Sequence, residues 1–296
     1  MCIVALKYFN ETGWVGVKNR DRNYKPLIYI KQSLRRGIER IYLWDDVTKY
    51  TEGSNEFGVS ILSASVDTKY DEKEGKISRN EEERDENFYS PDGKKIRTAL
   101  FEKTPEDAIK SLKESRLPGH IIVFNKSKAF LIEAAFSKPG RNPEDFIFKS
   151  QEINKKDVIA RTNHGLWIPW SGYQKDTDPY SRKSSEKRLK KVYKNLEKIT
   201  KPHDMLDALS NTDDEDPQMN PLRLDSKRKS LRTTGQIMLI PSELTLYYKP
   251  IWCEILFNFG KLDSSKTKTF FQILSSRGVV SPAVNGEKII DRVIKR

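Results

Sequence analysis

The beginning of the chain predicts a β-hairpin that folds back on itself. Apolar runs lie on either side of a turn at residues 10–13, whose sequence Asn-Glu-Thr-Gly is typical of a hairpin connection. Cys2 directly follows Met1 and begins the first run. The second run returns beside the first, so the charged residues 18–21 (Lys-Asn-Arg-Asp) are expected within reach of Cys2.

Cys2 has two interpretations. Methionine is generally removed when the second residue is small, and Cys2 would then carry both a thiol and a free α-amino group. A thiol attacks as its thiolate, with an ordinary pKa of about 8.5, and an α-amino group of pKa about 7.7–8.0 can accept its proton. The alternative is a small apolar residue that begins a β-strand.

Lys18 and Asp21 fit the first interpretation. A cation beside a thiol lowers the pKa of the thiol, and a carboxylate can hold an α-ammonium group through a charge-assisted hydrogen bond. The alternative is a charged turn in contact with solvent.

Two further motifs follow. Residues 55–59 read Asn-Glu-Phe-Gly-Val and precede a strand-like run of small residues at 60–66. Residues 161–165 read Arg-Thr-Asn-His-Gly and end an apolar run. Together with Cys2 and residues 19–21 (Asn-Arg-Asp), they resemble the N-terminal-nucleophile hydrolases of the choloylglycine hydrolase, penicillin V acylase and acid ceramidase group. The Cys, Asn-x-Asp and Thr-Asn motifs of that family occur in this order.

Two more segments fit the resemblance. The family carries an Arg in a Ser/Thr-rich segment that opens a helix, and residues 184–188 (Ser-Ser-Glu-Lys-Arg) match that pattern. Residues 233–240 and 244–248 look like the closing strand pair of the family. The resemblance spans residues 1–257 as short ordered motifs. It implies an α+β fold, a four-layer αββα sandwich with mainly antiparallel sheets.

The resemblance also implies a cytoplasmic cysteine amidohydrolase that cleaves a linear, non-peptide amide and needs no cofactor or metal. Cys2 would be the nucleophile, and Asp21 would orient its α-amino group. Lys18 and Arg188 would polarise the pocket, while the side-chain amide of Asn163 would bind the oxyanion. The candidate substrate-binding residues are Ser65, Asn55, His164 and Trp167. The aromatic residues Trp167, Trp170 and Tyr173 fit either an acyl pocket or the core.

Two positions depart from the family pattern. Lys18 stands where bile-salt hydrolases carry Arg, and lysine lacks the planar guanidinium fork. Ser65 stands where the family carries a second oxyanion-binding Asn, so a backbone N–H is an alternative donor. The motif at 19–21 also resembles the NRDE proteins, which have no settled activity. There are therefore two alternatives to the hydrolase. One is a catalytically silent protein that binds an acidic partner, and the other is an acyltransferase that uses the same site.

Composition limits the classes of partner. The chain of 296 residues has 54 Lys and Arg against 42 Asp and Glu, a net charge of +12. This charge permits nucleic-acid binding, but the cations are dispersed and accompany no nucleic-acid-binding motif, so a solvated basic surface is favoured. Local concentrations of cations lie at residues 182–194 and 223–232. The expected partner is a small-molecule amide.

Several classes of protein are disfavoured. No apolar run approaches the ~20 residues of a membrane span. Lys7 and Asn10 interrupt the apolar start, so no signal peptide is expected. The cysteines Cys2 and Cys253 cannot form a disulfide framework, and no zinc-binding spacing is present. Structural roles are favoured for the three separate histidines, His120, His164 and His203.

The remaining sequence predicts strands and helices in one domain at residues 1–260, followed by a basic extension at 261–296. Strands are expected at 2–8, 14–18, 27–31, 38–44, 57–66, 120–124, 128–134, 145–149 and 156–161. Helices are expected after the N-cap Thr104, at about 184–199 with Ser184 or Ser185 as N-cap, at 203–210 and at 270–274. Residues 67–98 form a polar insertion, interpreted as a mobile loop or lid beside Ser65, in which residues 71–86 hold eight acids and four bases.

Overall fold

Two stacked β-sheets form the centre of the protein. The structure is a computed structural model that describes residues 2–66, 91–138, 142–225, 227, 230–259, 271–275 and 278–280. Within these residues one sheet has seven strands and the other eight. Neighbouring strands are antiparallel except for two pairs, one at a sheet edge and one next to an edge.

The first sheet has the spatial order β10 (Ile159–Arg161), β1 (Cys2–Phe9), β2 (Gly13–Arg22), β11 (Arg232–Ile240), β12 (Thr245–Pro250), β14 (Phe271–Ser275) and β15 (Gly278–Val280). The second has the order β13 (Glu254–Phe259), β3 (Leu27–Arg35), β4 (Ile38–Asp45), β5 (Thr51–Asn55), β6 (Ser60–Ala64), β7 (Gly119–Phe124), β8 (Ala129–Phe136) and β9 (Phe146–Glu152). Within the described residues, the α-helices are α1 (Pro91–Ala99), α2 (Pro105–Glu114) and α3 (Pro179–Leu196).

Alternation along β1 separates two cores. Side chains of successive strand residues point to opposite faces of a sheet. Val4 and Leu6 pack in the apolar core between the two sheets, whereas Ile3 and Ala5 pack in a second core beneath α3. The predicted hairpin of β1 and β2 is confirmed, with Cys2 directly across from Arg20.

Helices cover the outer face of each sheet. Val192 and Leu196 of α3 pack on the first sheet, together with a 3₁₀ helix at Pro202–Leu209. Ile96 of α1 and Leu112 of α2 pack on the second sheet. The layers therefore follow the order helix, sheet, sheet, helix, which confirms the predicted αββα sandwich. No helix in the described parts of the chain is long and apolar enough to cross a membrane.

Several local predictions are confirmed. Thr104 caps α2, since its hydroxyl oxygen accepts the backbone N–H of Asp107 at 3.1 Å. The closing strand pair is β11 and β12, joined in antiparallel register from Gly235 to Ile240.

The predicted start of the long helix is wrong. Helix α3 begins at Pro179, with Asp178 as its N-cap, so Ser184 and Ser185 are buried interior residues and Arg188 lies beyond the first turn. Both serine hydroxyls form tertiary hydrogen bonds, which explains their place inside the helix.

Two other predictions need correction. Within the expected helix at 270–274, residues 271–274 lie in strand β14, whose backbone pairs with β12. Strands β14 and β15 thus belong to the first sheet. Residues 91–98 of the predicted loop lie in α1, where Ile96 and Ala99 are buried at helical spacing. The rest of that insertion, 67–90, lies outside the described residues.

The cap of α3 gives a stability prediction. Oδ1 of Asp178 accepts the backbone N–H of Ser181 at 2.9 Å. Asp178→Ala is expected to lower the free energy of unfolding by about 1 kcal/mol in urea denaturation, because an N-terminal N–H loses its acceptor. Asp178→Asn keeps that acceptor and is expected to retain most of the stability.

Asp176→Ala is the matched control, since Asp176 is an exposed acid two residues before the cap. Equal losses in Asp176→Ala and Asp178→Ala would show that negative charge near the helix start, and not the cap hydrogen bond, stabilises α3.

Candidate active site

Cys2 lies at the end of the inter-sheet core. Its side chain is 2% exposed and packs in the same cluster as Val4 and Leu6. Because directly opposed residues of antiparallel strands share a face, Arg20 and its neighbours Lys18 and Arg22 lie on the Cys2 face of β2. The thiol therefore faces a row of three cations.

Two carboxylates of the second sheet hold these cations. Lys18 forms an ion pair with Glu52 of β5, and Nε of Arg20 lies 3.4 Å from the same carboxylate. Arg20 and Arg22 also contact Asp45 of β4, at 3.2 and 3.3 Å. These ion pairs connect the two sheets beside the thiol and fix the guanidinium groups in place.

Arg22 contacts the thiol directly. One of its terminal nitrogens donates to Sγ of Cys2 at 3.5 Å. Burial alone would raise the pKa of the Cys2 thiol, but the positive charges of Lys18 and Arg22 outweigh it, and the pKa falls to about 7. Near neutral pH, roughly half of the thiol is thus in its nucleophilic form.

Asn163 follows β10, the strand that pairs with β1 on the side opposite β2. Strand β10 pairs Val4 with Arg161, so Asn163 follows two residues after the last paired position, toward the Cys2 end of β1. The Asn163 backbone N–H donates to the Ser185 hydroxyl at 2.9 Å, and its side-chain Nδ2 donates to the Ser65 carbonyl oxygen at 2.7 Å. Ser185 therefore holds the backbone of Asn163, and Ser65 holds its side chain.

Arg188 completes the contacts of Asn163. Its guanidinium donates to Oδ1 of Asn163 at 3.1 Å. A charged donor on the amide oxygen polarises the amide and strengthens its N–H groups as donors. Burial and the nearby charge of Arg223 lower the pKa of Arg188, so its positive charge depends on a negative neighbour.

Asp21 is that neighbour. Its carboxylate lies 3.5 Å from Arg188 and 3.3 Å from Arg223, and it accepts the Thr233 hydroxyl at 2.9 Å. All of these side chains are buried. Two guanidinium groups thus share one carboxylate, which leaves an excess of positive charge close to Asn163.

The other candidates have different surroundings. Oδ1 of Asn55 accepts the N–H groups of Phe57 and Val59, and its amide nitrogen donates to two backbone carbonyls. Its polar atoms are used by the turn and by the segment that follows α1, so Asn55 has no part in the function proposed below. The exposed Ser65 contacts Asn163 through its carbonyl oxygen.

His164 and Trp167 lie in the segment that follows Asn163. His164 Nδ1 is 2.8 Å from the Ser185 hydroxyl, and burial with the charge of Arg182 lowers the pKa of His164 to about 4. The ring is therefore neutral at pH 7. The Trp167 ring packs against the inter-sheet core, 5.7 Å from the guanidinium of Arg161.

The sequence predicted a cation at the thiol and named Lys18, which pairs with Glu52 and also lowers the pKa of the thiol in the structure. Arg22 was missed, although the alternation of β2 puts it on the same face. Arg223 was missed because it lies in a segment without a periodic pattern. Asp45 and Glu52 were missed because only the packing of the sheets brings them to the site.

The comparisons with known proteins are remote. No family model matches this chain, and no curated protein matches its sequence. Among solved structures, the fold is similar to that of penicillin V acylase from Agrobacterium tumefaciens, with a TM-score of 0.45 and 12% identity. That similarity covers 84% of this chain and 86% of the acylase chain. The function proposed below therefore rests on the geometry of the site.

The contact between Arg22 and Cys2 gives a second prediction. In wild-type protein, the rate of Cys2 alkylation by iodoacetamide is expected to rise with a midpoint near pH 7. Arg22→Gln is expected to raise this midpoint by about one pH unit, because the thiolate loses a neighbouring positive charge. Mass spectrometry of the Cys2 peptide measures the rate at each pH.

Lys25→Gln is the matched control, since it removes a cation that is ion-paired with Glu254 at the surface. Cys253 serves as an internal reference, because burial raises the pKa of its thiol. Equal midpoints for wild type and Arg22→Gln would show that Arg22 does not stabilise the thiolate.

Proposed function

We propose that this chain is an N-terminal cysteine amidohydrolase that cleaves a linear, non-peptide amide through a thioester acyl-enzyme. The observation that supports this most strongly is the contact between Arg22 and a thiol whose pKa falls to about 7. A residue that served only to begin a strand would need no such charge. The substrate is a small-molecule amide, and a cytoplasmic location fits two cysteines that form no disulfide.

The mechanism requires cleavage of the bond between Met1 and Cys2. The α-amino group of Cys2 then takes the thiol proton, directly or through one water, and becomes an ammonium group. The thiolate attacks the amide carbonyl carbon and forms a C–S bond, while the carbonyl electron pair moves to oxygen. Arg22 stabilises the thiolate before attack. Asp21, the neighbour of Arg22 on β2, is assigned to hold the ammonium group.

Asn163 binds the tetrahedral oxyanion. Its amide nitrogen has two N–H groups, of which one donates to Ser65 and the other is assigned to the oxyanion. Arg188 strengthens that donor through Oδ1. One donor of this kind is typically worth about 2.7–4 kcal/mol in the transition state. A backbone N–H near Ser65 is the proposed second donor.

The intermediate collapses when the C–N bond breaks. The leaving amine takes a proton from the α-ammonium group, and the acyl group stays on sulfur as a thioester. Water then attacks the thioester with the α-amino group as base, which releases the carboxylic acid and restores the thiol. If an amine replaces water in this step, the same site acts as an acyltransferase.

One observation favours the catalytically silent alternative. Cys2 is 2% exposed in the chain that carries Met1, so the thiol is closed to a substrate before Met1 is removed. Activity measurements separate the two functions, because a silent protein that binds an acidic partner would turn over no amide.

The nucleophile gives a third prediction. In a screen of acyl-amide substrates, Cys2→Ala is expected to abolish hydrolysis, because the thioester cannot form. Its melting temperature is expected to stay within a few degrees of wild type, since one small strand residue replaces another. Cys253→Ala is the matched control and is expected to keep full activity. Hydrolysis by Cys2→Ala would contradict the proposed function.

The oxyanion donor gives a fourth prediction. Asn163→Ala is expected to lower kcat by roughly 10²–10³-fold with little change in KM, because the donor acts mainly in the transition state. Steady-state kinetics on the best amide from the screen measures both constants. Asn154→Ala replaces an exposed asparagine nearby in sequence and is expected to change neither. Equal, small effects in the two variants would remove Asn163 from the mechanism.

A further inference from the structure

A buried carboxylate organises the segment that follows Asn163. Glu133, in the middle of β8, is fully buried. Its oxygens accept the backbone N–H groups of Leu166, Trp167 and Ile168 at 2.8–3.1 Å, and the Ser171 hydroxyl at 3.2 Å. The Glu133 carboxylate thus holds one end of a loop that has no strand or helix of its own.

His120 links this carboxylate to the other end of the loop. It lies directly across from Glu133 on β7, and its Nε2 is 3.1 Å from the Glu133 carboxylate. Its Nδ1 is 2.9 Å from the backbone carbonyl oxygen of Thr162. Both ring nitrogens face acceptors, so both contacts are hydrogen bonds only when the ring carries two protons.

The pair therefore fixes the backbone on both sides of Asn163. Thr162 is held by His120, and Leu166 is held by Glu133. Burial would raise the pKa of Glu133, but the hydrogen bond and charge of His120 lower it to about 2, so the carboxylate remains ionised. A buried carboxylate paired with a buried histidine usually adds little to stability compared with apolar packing, which favours a positioning role.

We propose that the His120–Glu133 pair positions Asn163 as the oxyanion donor, an inference that rests on the proposed function. The nucleophile lies on the first sheet, whereas His120 and Glu133 lie on the second. The pair sets the distance between the thiol and the donor amide by tying the loop to the second sheet. His120 and Glu133 are positioning residues, since they act through Asn163.

Two reactions of Cys2 distinguish the loss of Asn163 positioning from a general loss of Cys2 reactivity. Acylation by p-nitrophenyl acetate passes through a tetrahedral oxyanion: the thiolate attacks the ester carbonyl and p-nitrophenolate leaves. Alkylation by iodoacetamide displaces iodide at carbon and forms no oxyanion. Loss of positioning therefore slows acylation and leaves alkylation unchanged.

The test uses Glu133→Gln in the full chain. Glu133→Gln is expected to slow acylation by about 10–100-fold, because a small misplacement of a catalytic group has effects of this size. Its alkylation rate is expected to match wild type. Glu152→Gln, an exposed glutamate on the neighbouring strand β9, is the matched control and is expected to change neither rate.

A double-mutant cycle supplies the decisive readout. In the Asn163→Ala background, Glu133→Gln is expected to cost almost nothing further, because the two residues act as a unit. His120→Asn places an amide donor near the Nδ1 position and is expected to keep more acylation activity than His120→Ala. If Glu133→Gln fails to fold, His120→Asn and His120→Ala give the same test.

Additive losses in the cycle would overturn the proposal. A wild-type rate of acylation in Glu133→Gln would also overturn it. Wild-type protein that is alkylated at Cys2 but never acylated would instead contradict the proposed function, and the positioning role with it.

Discussion

The buried ion pairs between β2 and the second sheet determine the character of the site. Lys18, Arg20 and Arg22 extend from one strand, and Asp45 and Glu52 meet them from the opposite sheet. Burying charge is costly unless partners are fixed in good geometry. The pairs therefore hold the two sheets in one relative position at the site and set the electric field in which the thiol lies.

A count of charge explains why the thiol ionises. Three cations of β2 face two carboxylates, so this buried group has one positive charge in excess. A Cys2 thiolate supplies the missing negative charge, which is why the pKa falls despite burial. On the opposite face of β2, two guanidinium groups share Asp21, and one of them supports the Asn163 amide. Positive charge therefore lies near both groups that carry negative charge in the proposed reaction, the thiolate and the oxyanion.

The sequence predicted those features that depend on neighbours in the chain. The hairpin of β1 and β2, the Thr104 cap and the closing strand pair follow from apolar alternation and capping chemistry. The start of α3 was misjudged because serine usually caps a helix, whereas Ser184 and Ser185 here bond to other parts of the fold. Contacts across the sheets, such as Glu52 with Lys18 and His120 with Thr162, leave no local pattern.

The central claim is that Cys2 is an N-terminal nucleophile that carries the acyl group. Intact-mass and peptide mass spectrometry of protein quenched in acid during amide turnover tests it most directly. The account predicts a chain that lacks Met1 and carries the substrate's acyl mass on the Cys2 peptide, and predicts that hydroxylamine removes this mass. A chain that retains Met1, or an acyl group attached to another residue, would contradict it.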